Sequence, residues 1–309
     1  MDIHEKLKKF IGNRPEVVAA FGYGSGVFKQ TGYDEKSLPQ IDMILVVEDV
    51  RRWHKENKKK NPGDYSWTGA CILPSPLVTK MSGKTCIIYQ SNIEEEGGVY
   101  KYGIISRQDF FTCMTTWESF YVPGRFQKPL LPVVISPEVE TLLWNNRKGA
   151  VIAAACFVPE ETTCFDLYMN LCSLSYFGDS RMYIAENPEK VRNIVTGSYD
   201  RIHEIYLPVL KNCDFLALAP ENSEQITVNR EALSATLEQL PESLRNDLKA
   251  NVQDWHNMEE VQKGIRIYLE KVNFGESVGQ TAKGLVSNGL IRSIAYVIPK
   301  LKKKFGSKK

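Results

Sequence analysis

Residues 18–47 read VAAFGYGSGVFKQTGYDEKSLPQIDMILVV. An apolar run, Val17–Ala20, predicts a strand that ends at a glycine-rich turn, Phe21–Gly26. The second run, Ile41–Val47, is β-branched and continuous, the pattern of a strand buried on both faces. Asp42 stands near its head with apolar neighbours on both sides, and a carboxylate there calls for an ion partner or a metal. Glycines let backbone N–H groups approach phosphate oxygens, and the Ser25 hydroxyl adds a donor. Alone the glycine pattern is also that of an ordinary tight turn. An acid seventeen residues after Ser25, at the head of a strand, joins it to anion and metal chemistry.

Outward from this segment, the flanking pattern is mixed. A short helix is predicted over 4–12, and a charged helix over Val50–Lys60 stopped by Asn61-Pro62-Gly63. Strands are predicted at Thr85–Gln90 and Val99–Ser106, with a turn over 94–98 and helical spacing over 107–120. Proline and glycine steps over Pro123–Pro132 mark a boundary, beyond which helices are predicted at 137–157, 163–177, 187–196, 199–211 and within 227–271. The expected class is α+β, with an α/β front half. Three units are expected: residues 1–130, a helical unit over 131–275, and a tail over 276–309.

The 309 residues are 43% hydrophobic and 25% charged, which excludes wholesale disorder, and no apolar run is long enough to span a bilayer. The net charge of +2 hides an asymmetry. Residues 282–309 hold eight cations and no acid, leaving 31 basic against 37 acidic residues before them, a net charge of −6. In this tail Val286, Leu290, Ile294, Val297 and Leu301 recur at helical spacing beside Arg292 and Lys303. This reads as a basic amphipathic helix suited to an anionic membrane surface; packing of the same stripe on the protein body is the other reading. No aromatic interleaving accompanies the charge, so no nucleic-acid partner is expected. The seven cysteines are scattered without paired spacing, which points to buried free thiols in a reducing compartment. The N-terminal segment carries Asp2, Glu5 and Glu16 and lacks the features of a secretory signal or an intact transit peptide.

The order strand, Gly-Ser turn, acid-headed strand is the layout of the nucleotidyltransferase fold, in which the turn holds a triphosphate and the acid binds Mg²⁺. The usual second acid, two residues after the first, is here Ile44. In-order matches then run along nearly the whole chain: FGYGSGVFKQ (21–30), IDMILVV (41–47), NPGDYS (61–66), KYGIIS (101–106), WESFY (117–121), GRFQKP (124–129), LSYFGDSR (174–181), ENPEKVRNIV (186–195) and the tail segment GLIRSIAYVIPKLKKK. Through them the sequence resembles the Tam41 family of mitochondrial-type phosphatidate cytidylyltransferases, also called CDP-diacylglycerol synthases. The resemblance implies a nucleotidyltransferase domain followed by a winged-helix-like helical domain. It also implies condensation of CTP with phosphatidic acid to CDP-diacylglycerol and pyrophosphate, in phosphatidylglycerol and cardiolipin synthesis, with Mg²⁺ and peripheral membrane attachment. The setting is then the cytoplasmic face of a bacterial membrane or the matrix side of the mitochondrial inner membrane.

Both reactants are polyanions, so cations should matter at the site. Tyr23, Gly24, Ser25 and Gly26 are expected at the triphosphate and Asp42 at the metal. Lys101, Arg125, Lys128 and Arg181, each inside a matching motif, are the candidate phosphate-binding cations, with surface ion pairs as the plain alternative. Asp179 is the candidate second acid; a helix cap with a local Asp–Arg contact explains it as well. Asp64 reads as a turn or cap residue. A phosphate acceptor is ionised near neutral pH (second pKa about 6 to 7), so no strong general base is required and Lys101 is expected to hold the acceptor phosphate in place of an extra acid. Two other functions fit parts of the pattern: transfer to a soluble hydroxyl acceptor, and an inactive membrane-associated scaffold.

Overall fold

The run at 41–47 becomes the centre of a five-stranded mixed sheet. The computed structural model describes residues 2–28, 40–65, 87–95, 98–180, 189–219 and 224–279. Helix α1 (Ile3–Gly12), capped by the Asp2 carboxylate, leads into β1 (Ala19–Tyr23). β2 is Ile41–Val47 and α2 is Val50–Lys60, whose first amides, those of Arg51 and Arg52, donate to Asp49. Next come β3 (Ile88–Glu95), β4 (Gly98–Ser106), α3 (Arg107–Thr116), a single turn α4 (Pro123–Phe126) and β5 (Leu130–Val134). The strand order is β3-β4-β2-β1-β5. Only β2 and β4 run parallel, and that pairing sets Asp42 beside Lys101.

Alternation along the strands divides the sheet into two faces. Met43, Leu45, Tyr102 and Ile104 pack under α1 and α2 with Phe10 and Trp53. Ile44, Val46, Phe21 and Ile105 pack on the other side with Phe110 from α3, Phe126 from α4 and Val122 just before it, and with Leu143 from α5 (Pro137–Ala155). Ile44, at the position where the nucleotidyltransferase layout usually has a second acid, is wholly buried in that core.

The later part of the chain builds a second core. It contains α5, α6 (Cys164–Ser173), α7 (Lys190–Gly197), α8 (Tyr199–Leu210), α9 (Arg230–Thr236), α10 (Glu242–Asn251) and α11 (258–279). Three short strands, β6 (Glu161–Thr163), β7 (Leu216–Leu218) and β8 (Gln225–Val228), form a small antiparallel sheet of order β6-β8-β7. The mixed α+β class holds, with three corrections to the sequence reading. β1 extends through Gly22 and Tyr23, which the sequence assigned to the turn. β5 lies inside the proline-marked boundary, where an edge strand tolerates Pro132. The later helices are accompanied by a sheet that their apolar spacing did not announce. The basic tail over 280–309 lies outside the described residues. The five described cysteines (Cys113, Cys156, Cys164, Cys172 and Cys213) are free and buried, as expected. Burial raises the Cys156 thiol to about 12, so it stays neutral.

Candidate active site

Strand register assembles the site. Tyr23 ends β1 opposite Asp42, and Asp42 lies next to Lys101 on β4. All three sit at one end of the sheet, on the face covered by α3 to α5. Beyond Tyr23 the chain turns at once: Gly24 adopts φ +77°, a left-handed conformation that favours glycine. The amides of Val27 and Phe28 fold back on the Gly24 carbonyl at 3.1 and 2.9 Å. Among the described residues, no backbone bond takes up the amides of Ser25 and Gly26. Gly26 is pressed on the chain entering β2, since a Cβ there would lie 2.1 Å from the Gln40 carbonyl oxygen. A Cβ on Gly24 would lie 3.5 Å from Asp42 Oδ2, so the turn and the carboxylate adjoin.

Asp42 carries an unmet need. Its Oδ1 is buried and has no hydrogen-bond partner. Lys101 Nζ stands 3.6 Å from that oxygen, an ion-pair distance just beyond hydrogen-bond reach. Lys101 also lies 4.6 Å above the Tyr89 ring, and the Tyr23 hydroxyl donates to the Tyr89 hydroxyl at 3.3 Å. Tyr89 packs edge-on against Tyr121, over which the Arg125 guanidinium stacks at 3.6 Å while donating to the Tyr121 carbonyl at 2.8 Å. Burial, and then the Asp42 charge, raises the Tyr23 phenol above its ordinary range. Burial works against the charge of Arg125, yet the phenol oxygens of Tyr121, Tyr89 and Tyr23 more than offset it, and its pKa lies above the usual value. The site therefore joins one carboxylate, two cations and a tyrosine lattice.

Lys128 is held differently. Its ammonium donates to the Gly124 carbonyl at 2.8 Å and to Ser175 Oγ at 2.6 Å, with the Tyr176 ring at 5.1 Å. It ties the α4 turn to the second core. Asp179, three residues beyond Tyr176, is buried in a turn where Gly178 has φ +70° and is pressed on the Glu270 backbone of α11. No contact among the described residues joins Asp179 to Asp42, and Arg181 lies outside the described residues. Asp64 proves to be the hub of a buried clasp on the opposite face. It accepts from Arg14 at 3.1 and 3.0 Å, from Asn57 at 3.0 Å and from Tyr102 at 2.7 Å.

Four participants escaped the sequence reading. Tyr89 and Tyr121 join Lys101 to Arg125 only through folding, and Arg201 of α8 stacks on Phe28 at 4.5 Å, beside the glycine turn. Glu276 of α11 is 6% exposed and accepts the Phe120 amide on both carboxylate oxygens at 3.1 Å. Burial raises its pKa to about 7 against the pull of Ser119, the Phe120 and Tyr121 amides and Arg125.

Among the described residues, no three or more His, Cys, Asp and Glu side chains cluster to hold a metal by themselves. Mg²⁺ is ordinarily held by one or two carboxylates together with substrate phosphates and waters. Asp42 Oδ1, which accepts no hydrogen bond and adjoins the glycine turn, fits the carboxylate part of that donor set. The family model for mitochondrial phosphatidate cytidylyltransferase matches residues 5–303. The chain belongs to that family. Among relatives of this name, the Schizosaccharomyces pombe protein is 33% identical, covering 99% of this chain and 85% of the relative. The Bos taurus protein is 29% identical over 96% of this chain and 93% of the relative. The Danio rerio protein is 28% identical over 92% and 89%. As a member of the cytidylyltransferase family, this chain carries the sequence-predicted Tyr23, Gly24, Asp42, Lys101 and Arg125 on one connected patch.

Proposed function

We propose that the chain transfers the cytidylyl group of CTP to phosphatidic acid, giving CDP-diacylglycerol and pyrophosphate. An acceptor phosphate oxygen attacks the α-phosphorus in line, the new P–O bond forms, and the bond to the bridging oxygen breaks as pyrophosphate leaves. Mg²⁺, when bound, supplies positive charge to the triphosphate and to the departing pyrophosphate. The amides of Ser25 and Gly26 and the Ser25 hydroxyl bind phosphate oxygens, and Asp42 Oδ1 is the metal ligand. Lys101, one strand away, orients the acceptor phosphate. Arg125, stacked on the Tyr121 ring and held by the Tyr121 carbonyl, offsets negative charge that builds on the transferring group. Lys128 and Arg181 are the proposed further phosphate-binding cations and Asp179 the proposed further acid, their roles carried by the family motifs.

The observation that carries this reading is the buried Asp42 Oδ1, which accepts no hydrogen bond and is set between the Lys101 ammonium at ion-pair distance and a left-handed glycine turn. The acceptor needs no strong base, which suits a site in which Asp42 is given over to the metal. We also propose a peripheral, mitochondrial setting in which residues 280–309 hold the protein on an anionic leaflet. The mitochondrial relatives support it, and no helix among the described residues is long and apolar enough to cross a membrane. The test is pyrophosphate release from CTP and Mg²⁺ offered either phosphatidate vesicles or soluble sugar and alcohol acceptors. Release with vesicles alone is expected. Release only with a hydroxyl acceptor would move the function to that class, and none with either would leave the scaffold.

A further inference from the structure

A cavity of about 310 Å³ opens between the edge strand β5 and helix α5. Its apolar walls are Phe21, Leu130, Pro132, Ile135 and Leu143. The register joins it to the site: Leu130 pairs with Tyr23, which pairs with Asp42, which pairs with Lys101. Strands lie about 4.8 Å apart, so the cavity begins roughly 10 Å from Asp42 along one row of the same sheet face. Phe21 and Pro132, the next pair in register, continue its floor.

Helix α5 adds two charged residues, Glu140 and Arg147. Arg147 Nε is buried and has no hydrogen-bond partner, and burial pulls the guanidinium pKa below its ordinary value. Its position along the cavity follows from its neighbour. Asn146 donates to the Pro123 carbonyl at 3.1 Å and accepts from Gln127 at 3.2 Å, so this turn of α5 lies over the residues that lead into Leu130. Arg147 thus belongs to the end of the cavity nearer the site. The apolar wall runs away from it toward Ile135, where the chain reverses into α5.

Apolar walls with one unmet N–H donor at the end nearest the site describe a ligand with an acceptor oxygen followed by hydrocarbon. A free phosphate suits the cavity poorly, because it needs several donors and would share the space with Glu140. A 150 Å³ cavity accommodates benzene, so twice that volume takes on the order of ten carbons. We propose that this cavity is an acyl site: it receives the ester carbonyl and first carbons of one fatty-acyl chain of the glycerophospholipid acceptor, with Arg147 donating to the carbonyl. The acceptor phosphate is then free to reach Lys101 and Asp42. This inference rests on the reading of the chain as acting on phosphatidic acid.

The test uses the full chain with CTP, Mg²⁺ and monomeric phosphatidates of dibutyryl, dihexanoyl and dioctanoyl length, plus the dioctyl ether analogue that lacks ester carbonyls. Burying each methylene is expected to raise kcat/KM about fourfold until the cavity fills, chiefly through KM. The ether should lose about fivefold against the ester, the worth of one hydrogen bond. Arg147→Met should abolish the ester preference, and Ile135→Trp should flatten the length series; both should keep wild-type CTP affinity. The ether comparison needs no variant, so a misfolded Arg147→Met leaves the inference testable. Direct titration of dioctanoyl phosphatidate against wild type and Ile135→Trp reads the cavity without turnover. If wild type binds this lipid and the variant binds it about tenfold more weakly, the acyl site stands even where no pyrophosphate is released. Equal affinity, equal use of ester and ether, or competition by inorganic phosphate without any chain-length effect would each overturn it.

Discussion

Glu276 makes the second core answer to pH. Its carboxylate is 6% exposed, and its pKa is raised from 4.5 to about 7, with burial the leading cause. A carboxyl group with a raised folded-state pKa is protonated more readily in the folded chain than in the unfolded one. It therefore stabilises the fold fully below pH 4.5, and the contribution is lost as pH rises through 7. Linkage over this shift gives about 2.5 kcal/mol lost between pH 5 and pH 8. Glu276→Gln keeps the shape and cannot titrate. It also faces one of the neighbouring amides with an NH₂ group, costing about 1 kcal/mol at every pH, an offset without a slope. Urea unfolding of both proteins at half-unit steps from pH 5 to pH 8 separates the two effects. The difference curve should fall by about 2.5 kcal/mol for wild type relative to the variant, centred between pH 5 and 7. Parallel curves would refute the assignment. Because the Tyr121 carbonyl holds Arg125, the same turn carries the cation of the site, and CTP affinity should weaken modestly in the variant.

Three further outcomes follow from the site. Gly26→Ala would thrust a Cβ to 2.1 Å from the Gln40 carbonyl oxygen, and since both sides are backbone the turn must shift; CTP affinity measured by calorimetry should fall at least about tenfold while the circular dichroism spectrum is kept. Lys101→Met should raise KM for phosphatidate and lower kcat by about 100-fold with little effect on CTP binding; full turnover at saturating phosphatidate would remove Lys101 from the acceptor site. Deleting residues 280–309 should abolish liposome flotation and activity on long-chain lipid yet spare CTP binding, since each cation near an anionic surface adds about 1 kcal/mol. Activity retained on vesicles would refute that role for the tail.

The sequence made the centre of the fold legible for physical reasons. Ile41–Val47 is β-branched and unbroken, and Val50–Lys60 has an aspartate cap and an Asn-Pro-Gly stop, so both elements fall where their residues put them. The head of β2 beside the glycine turn was readable because both features are local. What depended on register was not. Lys101 could be nominated from its motif, but its place beside Asp42 comes from β2–β4 pairing across nearly sixty residues. Tyr89 lies in no matching motif and Tyr121 only closes one, and the two rings meet only when the chain folds back over the sheet. β5 was hidden by Pro132, and β6 to β8 are too short for alternation to stand out. Glu276 looks like any acid on a polar helix until the Phe120 amide is brought against it.

At the centre stands the proposal that a single carboxylate, Asp42, holds a metal-chelated nucleotide. The most direct test is pyrophosphate release from CTP with Mg²⁺ and phosphatidate vesicles, compared between wild type and Asp42→Asn. The substitution keeps the side-chain shape and removes the charge, so the rate should fall by at least about 100-fold while the fold and the unfolding midpoint are preserved. A folded Asp42→Asn protein that turns over at the wild-type rate would contradict the account.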